Sequence, residues 1–250
     1  MIPEGILGRV EMVVLDSDGV CIPRGTTIEE TEDGGLYTLH LQTHLLSPQM
    51  TMKIRELSQF IKVMISSGRS LLYLQMMYRG ILGDATLMAE NGSVAMTPDG
   101  KLHALVDLPP TYHHRIGKIR WEIGRLPGTT VEPKMYILTI HSPEEYPEVY
   151  DIVRSYDSEG DFQIMWNGEA FDIQLAGVSK GTGIETFSLM HGIPTDNIIA
   201  IGDRVNDRAL LDAVGIPVSA DIEELEAPYW TVGDGLPGEE LVDFLLDGGI

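Results

Sequence analysis

Short apolar runs that end in polar residues recur along this chain, and most are followed by a stretch with helical spacing. The first lies within residues 10–20, where Val13, Val14 and Leu15 show no polar alternation. Such a run is typical of a strand buried on both faces in the middle of a parallel sheet. Similar runs at 61–65, 86–89 and 198–201 precede helical patterns or turns. The pattern therefore predicts an α/β fold with a parallel central sheet.

This strand–helix alternation is interrupted twice. Residues 26–42 predict a hairpin around Asp33-Gly34-Gly35, directly after the first strand. From about residue 93 the pattern predicts antiparallel hairpins turning at Pro98-Asp99-Gly100 and Asn167-Gly168. Helices over 110–126 and 143–156 and a strand over 130–140 complete this region. We therefore expect a parallel-sheet domain formed by 1–89 and 177–250, with an α+β domain inserted at 90–176.

The parallel pattern resumes after residue 176. Ser179 and Gly192 are a suitable N-cap and C-terminal stop for one helix. Further short strands are predicted at 216–219 and 230–232, and helices at 221–226 and 238–246.

The composition and net charge restrict the classes of molecule that the protein could bind. The 250 residues are 43% hydrophobic and carry a formal net charge of −21, with a single cysteine. An acidic surface disfavours nucleic acid and anionic membranes as partners. The N-terminus lacks the features of a signal peptide, apolar runs fall short of the roughly 18 residues of a membrane span, and one cysteine allows no internal disulfide. These features predict a cytoplasmic protein. The oligomeric state stays open, a homodimer included.

Candidate chemistry lies where strands end. Asp16 and Asp18 follow the first strand, and an open α/β sheet binds its ligands at this edge. Asp16 could serve as a nucleophile and Asp18 as a general acid and base. Ser67 begins a strand-to-helix connection, where a hydroxyl and free backbone N–H groups can hold a phosphate. On its own, the Asp16–Gly19 motif is also compatible with an ordinary Asp–Gly turn. The loop at Ser67 is also compatible with an ordinary connection that has a capping serine.

Taken together, the motifs resemble those of the haloacid dehalogenase superfamily. The sequence carries DSDG at 16–19, SGR at 67–69, SKG at 179–181 and GDRVND at 202–207, with ENG at 90–92 before the insertion. This order is similar to that of Cof-like phosphatases with a type II cap, and of sucrose-phosphate and phosphoglycolate phosphatases and phosphomannomutase. The resemblance spans the whole chain and implies a Rossmann-like catalytic core with an inserted α+β cap.

The resemblance also implies residue roles. Asp16 would be the nucleophile that becomes an aspartyl phosphate, and Asp18 the general acid and base. The phosphoryl oxygens would be held by Ser67, Gly68, Lys180 and Asn206. A Mg²⁺ ion would be held by Asp16, Asp18 through its backbone carbonyl, Asp203 and, less directly, Asp207. Independently, four clustered carboxylates would repel a phosphate dianion without a divalent cation, and oxygen ligands favour Mg²⁺ over zinc.

The inserted region offers weaker candidates. His113, His114, Arg115, Lys118 and Arg120 cluster near one predicted helix. They could form a solvated face, or some of them, with Lys134, could contact the leaving group. Asn91 lies at the junction and could touch substrate. Two further residues have structural interpretations: Arg69 as a partner of nearby carboxylates and Cys21 as part of the core.

The sequence thus predicts a Mg²⁺-dependent phosphatase acting on a small phosphorylated metabolite, such as a sugar phosphate. A phosphomutase shares the same intermediate and is the first alternative. A non-catalytic phosphate-binding or regulatory protein is the second. A dehalogenase is disfavoured, because it would not need the paired acids and the metal site.

Overall fold

The computed structural model describes residues 4–248, which form two compact units. Unit 1 contains the described residues of Met1–Gly25, His44–Val106 and Ser179–Ile250, and unit 2 contains Thr26–Thr43 and Asp107–Val178.

The regular elements follow in chain order. The strands are β1 (Met12–Asp16), β2 (Thr27–Asp33), β3 (Leu36–Gln42), β4 (Lys62–Ser66), β5 (Thr86–Ala89), β6 (Val94–Met96), β7 (Leu102–Ala104), β8 (Thr130–Glu132), β9 (Leu138–His141), β10 (Phe162–Trp166), β11 (Ala170–Leu175), β12 (Ile198–Gly202), β13 (Ile216–Ser219) and β14 (Tyr229–Trp230). The α-helices are α1 (Pro48–Leu57), α2 (Leu71–Met77), α3 (Tyr112–Ile123), α4 (Pro147–Ser155), α5 (Lys180–His191), α6 (Arg208–Asp212) and α7 (Pro237–Asp247).

Unit 1 is built on an eight-stranded sheet with the order β14-β13-β12-β1-β4-β5-β6-β7. The strands from β14 to β5 are parallel, while β6 and β7 add antiparallel. β1 lies between β12 and β4, and its apolar residues from Met12 to Leu15 are fully buried. The prediction of a parallel α/β sheet with this strand at its centre is confirmed.

Local capping chemistry fixes the helices around this sheet. The Ser47 side chain accepts a hydrogen bond from Met50 N at the start of α1, and Ser70 does the same for α2. α5 begins with a reciprocal capping box between Ser179 and Thr182 and ends at Gly192 in the left-handed conformation. Both predicted ends of α5 are therefore confirmed. Within residues 4–248, no helix combines the length and apolarity needed to cross a membrane.

Unit 2 contains a four-stranded antiparallel sheet with the order β10-β11-β9-β8, and the separate hairpin β2–β3. The apolar residues of α3 and α4 pack with Leu138, Ile140, Phe171 and Ile173 of the sheet. The intervening residues, Thr139 and Asp172 among them, point to the opposite face because side chains alternate along a strand. One face of this sheet is therefore an apolar core and the other is polar.

The structure differs from the predicted elements in two places. The strand expected over 130–140 is two strands, β8 and β9, and Pro133 between them has no N–H to extend the pairing. The helix expected over 221–226 is a turn, in which the Asp221 side chain accepts hydrogen bonds from Glu223 N and Glu224 N. Short side-chain caps of this kind compete with helix formation.

The compact units also differ from the expected domain boundaries. β6 and β7, inside the expected insertion at 90–176, extend the large sheet of unit 1 through pairing with β5. The hairpin β2–β3, inside the expected first segment 1–89, groups with unit 2. The short connection between Ala89 and Val94 lets β6 pair with β5, and contacts between β2 and β8 group the hairpin with unit 2. The functional division into a catalytic core and a cap remains a prediction.

Candidate active site

Three neighbouring strands of unit 1 end at the same edge of the sheet. Asp16 is the last residue of β1 and is in register with Ser66, the last residue of β4. Ser67 and Asp203 follow β4 and β12 directly. Because the strands are parallel, the residues after them share the edge where α/β folds bind ligands. The topology thus brings together residues separated by almost the whole chain.

Three carboxylates converge at this edge. Asp16, Asp203 and Asp207 each offer an oxygen within 4.8 Å of the others. Lys180 lies among them with only 2% of its side chain exposed, and its Nζ donates to Asp16 Oδ1 and to Asp207 Oδ1, at 2.5 Å each. A buried lysine shared by two carboxylates is a charge-assisted network, so its geometry is tightly held.

Burial and crowding shift the protonation equilibria of this cluster. Desolvation, reinforced by Asp207, raises the pKa of Asp16 to about 8 although Lys180 opposes the change. For Lys180, burial alone would lower the pKa, but Asp16 and Asp207 outweigh it and the net direction is upward. Burial also raises the pKa of Asp203, against the opposing effect of Arg24. Burial is the largest cause for all three groups, and repulsion from Asp207 adds to the upward shifts of the pKa of Asp16 and of Asp203.

The backbone of the loop after β12 holds Asp207 in place. Asp203 N and Arg204 N donate to Asp207 Oδ2 at 3.1 and 3.4 Å. A Cβ on Gly202 would lie 2.8 Å from the same oxygen and closer still to Asp207 Cβ. Glycine at 202 is therefore required for the close approach of Asp207, which gives the GDRVND motif a steric explanation. Asn206 lies in the 3₁₀ turn Val205–Asp207 and is exposed.

Asp18 follows the nucleophile candidate on a tight turn. Gly19 N donates to Ile22 O at 2.8 Å, and Gly19 has φ of 90°. The half-buried Asp18 accepts hydrogen bonds from Arg69 Nε and Nη2 at 3.3 and 3.2 Å. This confirms the interpretation of Arg69 as a partner of a nearby carboxylate. Cys21 is buried, as expected for a core residue.

A strained turn after β5 connects the Ser67 loop to α5. Glu90 and Asn91 have φ of 51° and 54°, which is uncommon outside glycine, and Gly92 follows with φ of 87°. Asn91 N donates to the carbonyl of Ser67 at 3.2 Å, and a Cβ on Gly92 would lie 3.2 Å from Lys180 Cα. Strain of this kind persists where surrounding structure enforces it, often at functional sites. The spacing of the motifs did not reveal this connection.

The candidates in unit 2 have partners of their own. Arg115 donates to Asp157 and Asp161 at 3.2 and 2.6 Å and lies over the Phe162 ring. His113 is exposed on α3. Lys134 has 3% of its side chain exposed and pairs with Glu132 at 3.2 Å. These contacts give Arg115 and Lys134 structural roles, and contact with a substrate remains a prediction for all three.

One residue of the site was missed from the sequence. Arg24 forms an ion pair with Asp203 through Nη2 and Oδ2. The two residues are 179 positions apart, and Arg24 belongs to none of the recognised motifs. No local pattern could have predicted this pair.

The converging donor atoms are suited to a hard divalent cation. Asp16, Asp203 and Asp207 offer carboxylate oxygens close enough to share one ion. Carboxylate oxygen is the ligand type that Mg²⁺ prefers, whereas zinc and softer metals favour nitrogen and sulfur. The donor set therefore fits a magnesium ion.

Comparisons with known proteins agree with this fold. The family model described as haloacid dehalogenase-like hydrolase matches residues 129–221. A phosphatase of the same superfamily from Bacteroides thetaiotaomicron superposes with a TM-score of 0.68 at 20% identity, covering 100% of this chain and 98% of the other. The C-terminal domain of Candida albicans trehalose-6-phosphate phosphatase superposes with a TM-score of 0.67 at 16% identity, covering 99% and 95%. In this fold, and in the region that the family model matches, the chain is similar to the haloacid dehalogenase-like hydrolases.

Relatives found by sequence indicate which kind of hydrolase this chain resembles. A phosphoglycolate phosphatase from Methanopyrus kandleri is 27% identical over 203 residues, which span 77% of this chain and 84% of the relative. The family model and these relatives support a phosphatase-type enzyme.

Proposed function

We propose that this enzyme is a Mg²⁺-dependent phosphomonoesterase that works through an aspartyl phosphate. The observation that carries the proposal is the convergence of Asp16, Asp203 and Asp207 around Lys180 at the carboxyl ends of parallel strands. A nucleophile, a fixed cation and spare oxygen ligands are the parts that phosphoryl transfer to a carboxylate needs.

In the first step a carboxylate oxygen of Asp16 attacks phosphorus as the bond to the leaving oxygen breaks. Asp18 gives its proton to that oxygen, so the alcohol departs neutral. Lys180, already bonded to Asp16 Oδ1, donates to the phosphoryl oxygens as negative charge spreads over them. Ser67, Gly68 and Asn206 complete the phosphate contacts in this proposal.

In the second step water attacks the phosphorus of the aspartyl phosphate. Asp18, now ionised, takes the proton from that water, and the Asp16 carboxylate is released with inorganic phosphate. One residue thus acts as acid and then as base, and the hydrolysis is divided into two easier displacements. The hydrogen bonds from Arg69 hold the Asp18 carboxylate in one orientation for both transfers.

Asp16, Asp203, Asp207 and the backbone carbonyl of Asp18 would hold the Mg²⁺ ion. When bound, the ion supplies positive charge that offsets the repulsion between these carboxylates and a phosphate dianion.

We further propose a small phosphorylated metabolite as substrate. The named relatives act on phosphoglycolate and on a sugar phosphate, so both classes belong in the first panel. The expectation of a sugar-like phosphate remains part of this proposal.

The test is release of inorganic phosphate from p-nitrophenyl phosphate, phosphoglycolate and a set of sugar phosphates, with and without chelator. Asp16→Asn removes the nucleophile and is expected to lower turnover by at least about 10³-fold. Asp212→Asn, an exposed acid on α6, is the matched control and is expected to keep full activity. Full activity of Asp16→Asn would exclude the mechanism, and activity unaffected by chelator would exclude the metal.

A further inference from the structure

Each carboxylate of the candidate site is paired with a protein cation, one of which is shared, and these cations differ in how deeply they are buried. Lys180 serves Asp16 and Asp207, Arg69 serves Asp18, and Arg24 serves Asp203. Lys180 and Arg69 have 2% and 18% of their side chains exposed, against 40% for Arg24. Arg24 is therefore the cation with the most access to solvent.

The solvent exposure of the side chains affects how much free energy is needed to separate each ion pair. Partly exposed ion pairs contribute little net stability, because water solvates the separated charges well. A buried pair is costly to break from one side, because it leaves a charge without compensation. Water can solvate Arg24 when it leaves, so it is easier to displace than Lys180, but the Asp203 side chain is only 11% exposed and then needs another positive charge.

The turn that carries Asp18 leaves room for this pair. A Cβ on Gly19 would collide with Asp203 Oδ2 and would lie 2.8 Å from Arg24 Nε. Gly19 also has φ of 90°, which a side chain would disfavour. Glycine thus keeps an open space beside Asp203 in which the Arg24 guanidinium lies.

We propose that Arg24 is a displaceable counter-ion of Asp203, which neutralises this carboxylate until a divalent cation takes its place. The inference rests on the proposed metal site. Asp203 is one of the three converging carboxylates, so a guanidinium on Oδ2 and a shared metal ion compete for the same charge. A guanidinium stays protonated in proteins, so the competition proceeds by movement of Arg24 and not by loss of its proton.

This exchange makes the acidic cluster tolerable without metal and lowers the apparent affinity for the cation. Removing Arg24 is expected to have opposite effects on the two states. The metal-free protein loses a compensating charge, while the metal-bound protein loses a competitor. A residue that merely supports the fold would weaken metal binding when removed.

The experiment is titration of the metal-free protein with Mg²⁺ by calorimetry. Arg24→Met keeps an apolar stem of similar length and is expected to bind Mg²⁺ about three- to tenfold more tightly than the parent protein. Arg208→Met is the matched control, because Arg208 pairs with Asp212 on α6, and its affinity is expected to be unchanged. Unchanged or weaker binding by Arg24→Met overturns the proposal.

A second measurement covers the case in which Arg24→Met does not fold. In the parent protein, the NMR signal of Arg24 Nε–Hε is expected to shift during the Mg²⁺ titration, with no such shift for Arg208. A stationary Arg24 signal at saturating Mg²⁺ contradicts the exchange while leaving the metal site intact. If calorimetry detects no Mg²⁺ binding to the parent protein, the metal site itself is refuted, and the exchange with it.

Discussion

Two buried lysines, one in each unit, have similar surroundings at first sight. Lys180 in unit 1 has 2% of its side chain exposed and bonds to Asp16 and Asp207. Lys134 in unit 2 has 3% exposed, pairs with Glu132, and donates to Thr139 Oγ1 at 2.7 Å. Both therefore satisfy the rule that a buried charge needs a partner.

The difference between them is in the number and position of the acids. Lys180 is outnumbered, because Asp203 lies within 4.8 Å of the two carboxylates that the lysine already serves. Lys134 faces one carboxylate, Glu132, which His141 Nε2 also approaches at 3.4 Å, and the Thr139 hydroxyl links the lysine onward to Asp172. A buried lysine is thus a weak indicator of catalysis, whereas an excess of carboxylates around it indicates a place for an added cation.

The largest effect is expected for Lys180→Met. It removes the cation shared by Asp16 and Asp207, which is expected to cost about 3 to 5 kcal/mol of unfolding free energy. Loss of one preorganised donor to the phosphoryl group is expected to reduce turnover by at least about 10²-fold. Urea denaturation and phosphate release measure the two effects.

Lys101→Met provides the control for that comparison. Lys101 has 74% of its side chain exposed, and its replacement is expected to change stability by less than about 0.5 kcal/mol. Retention of turnover in Lys180→Met would show that the buried lysine of unit 1 is structural, as we infer for Lys134.

Lys134→Met is expected to lower the free energy of unfolding. The Glu132 carboxylate loses its buried cation, at a cost of about 3 kcal/mol. Adding Glu132→Gln removes that buried charge and is expected to restore much of the loss, as a double-mutant cycle would show. Lys118→Met, on the exposed part of α3, is the control. An additive cycle would contradict the pairing.

The close carboxylates around Lys180 in unit 1 predict that stabilisation of the protein by Mg²⁺ depends on pH. Burial raises the pKa of Asp16 from the ordinary 3.8 to about 8, so between these values the folded protein keeps a proton that the unfolded chain has lost. The stability of the metal-free protein from this group is therefore fully present below about pH 4 and falls as pH rises toward 8. In the proposed function, a bound Mg²⁺ ion would take the place of this proton.

Melting temperatures with chelator and with Mg²⁺ at pH 5.5 and pH 8 provide the measurement. The increase caused by Mg²⁺ is expected to be larger at pH 8, with each kcal/mol worth about 2 to 4 °C for a chain of this size. Asp16→Asn cannot titrate and is expected to narrow the difference between the two pH values. Equal increases at both values in the parent protein would contradict the charge-crowding account.

Much of unit 1 could be predicted because the sequence signals that specify its elements lie within those elements. The apolar run before Asp16 specifies a buried strand, and Ser179 and Gly192 specify the ends of α5 through capping chemistry. Recurring strand ends then predict which residues share one edge of the sheet. These rules place Asp16, Ser67 and Asp203 at one edge, whereas the role of Lys180 beside them was implied by the resemblance to the haloacid dehalogenase superfamily.

The features that were missed depend on contacts between distant segments. The ion pair of Arg24 with Asp203 joins residues 179 positions apart and leaves no periodicity in the sequence. The backbone strain at Glu90 and Asn91 is likewise imposed by neighbouring loops on residues that do not favour it. These features had to come from the folded structure.

The smallest effect is expected from substitutions at the helix N-caps, which differ between the two units. Ser179 caps the helix that carries Lys180, and its side chain accepts a hydrogen bond from Thr182 N at 3.1 Å. Thr111 stands at the same position before α3 but makes no side-chain capping bond within the described chain. Ser179→Ala is therefore expected to cost about 1 kcal/mol in urea denaturation, and Thr111→Ala close to nothing. Equal losses in both variants would mean that residue type, and not the observed bond, sets the capping contribution.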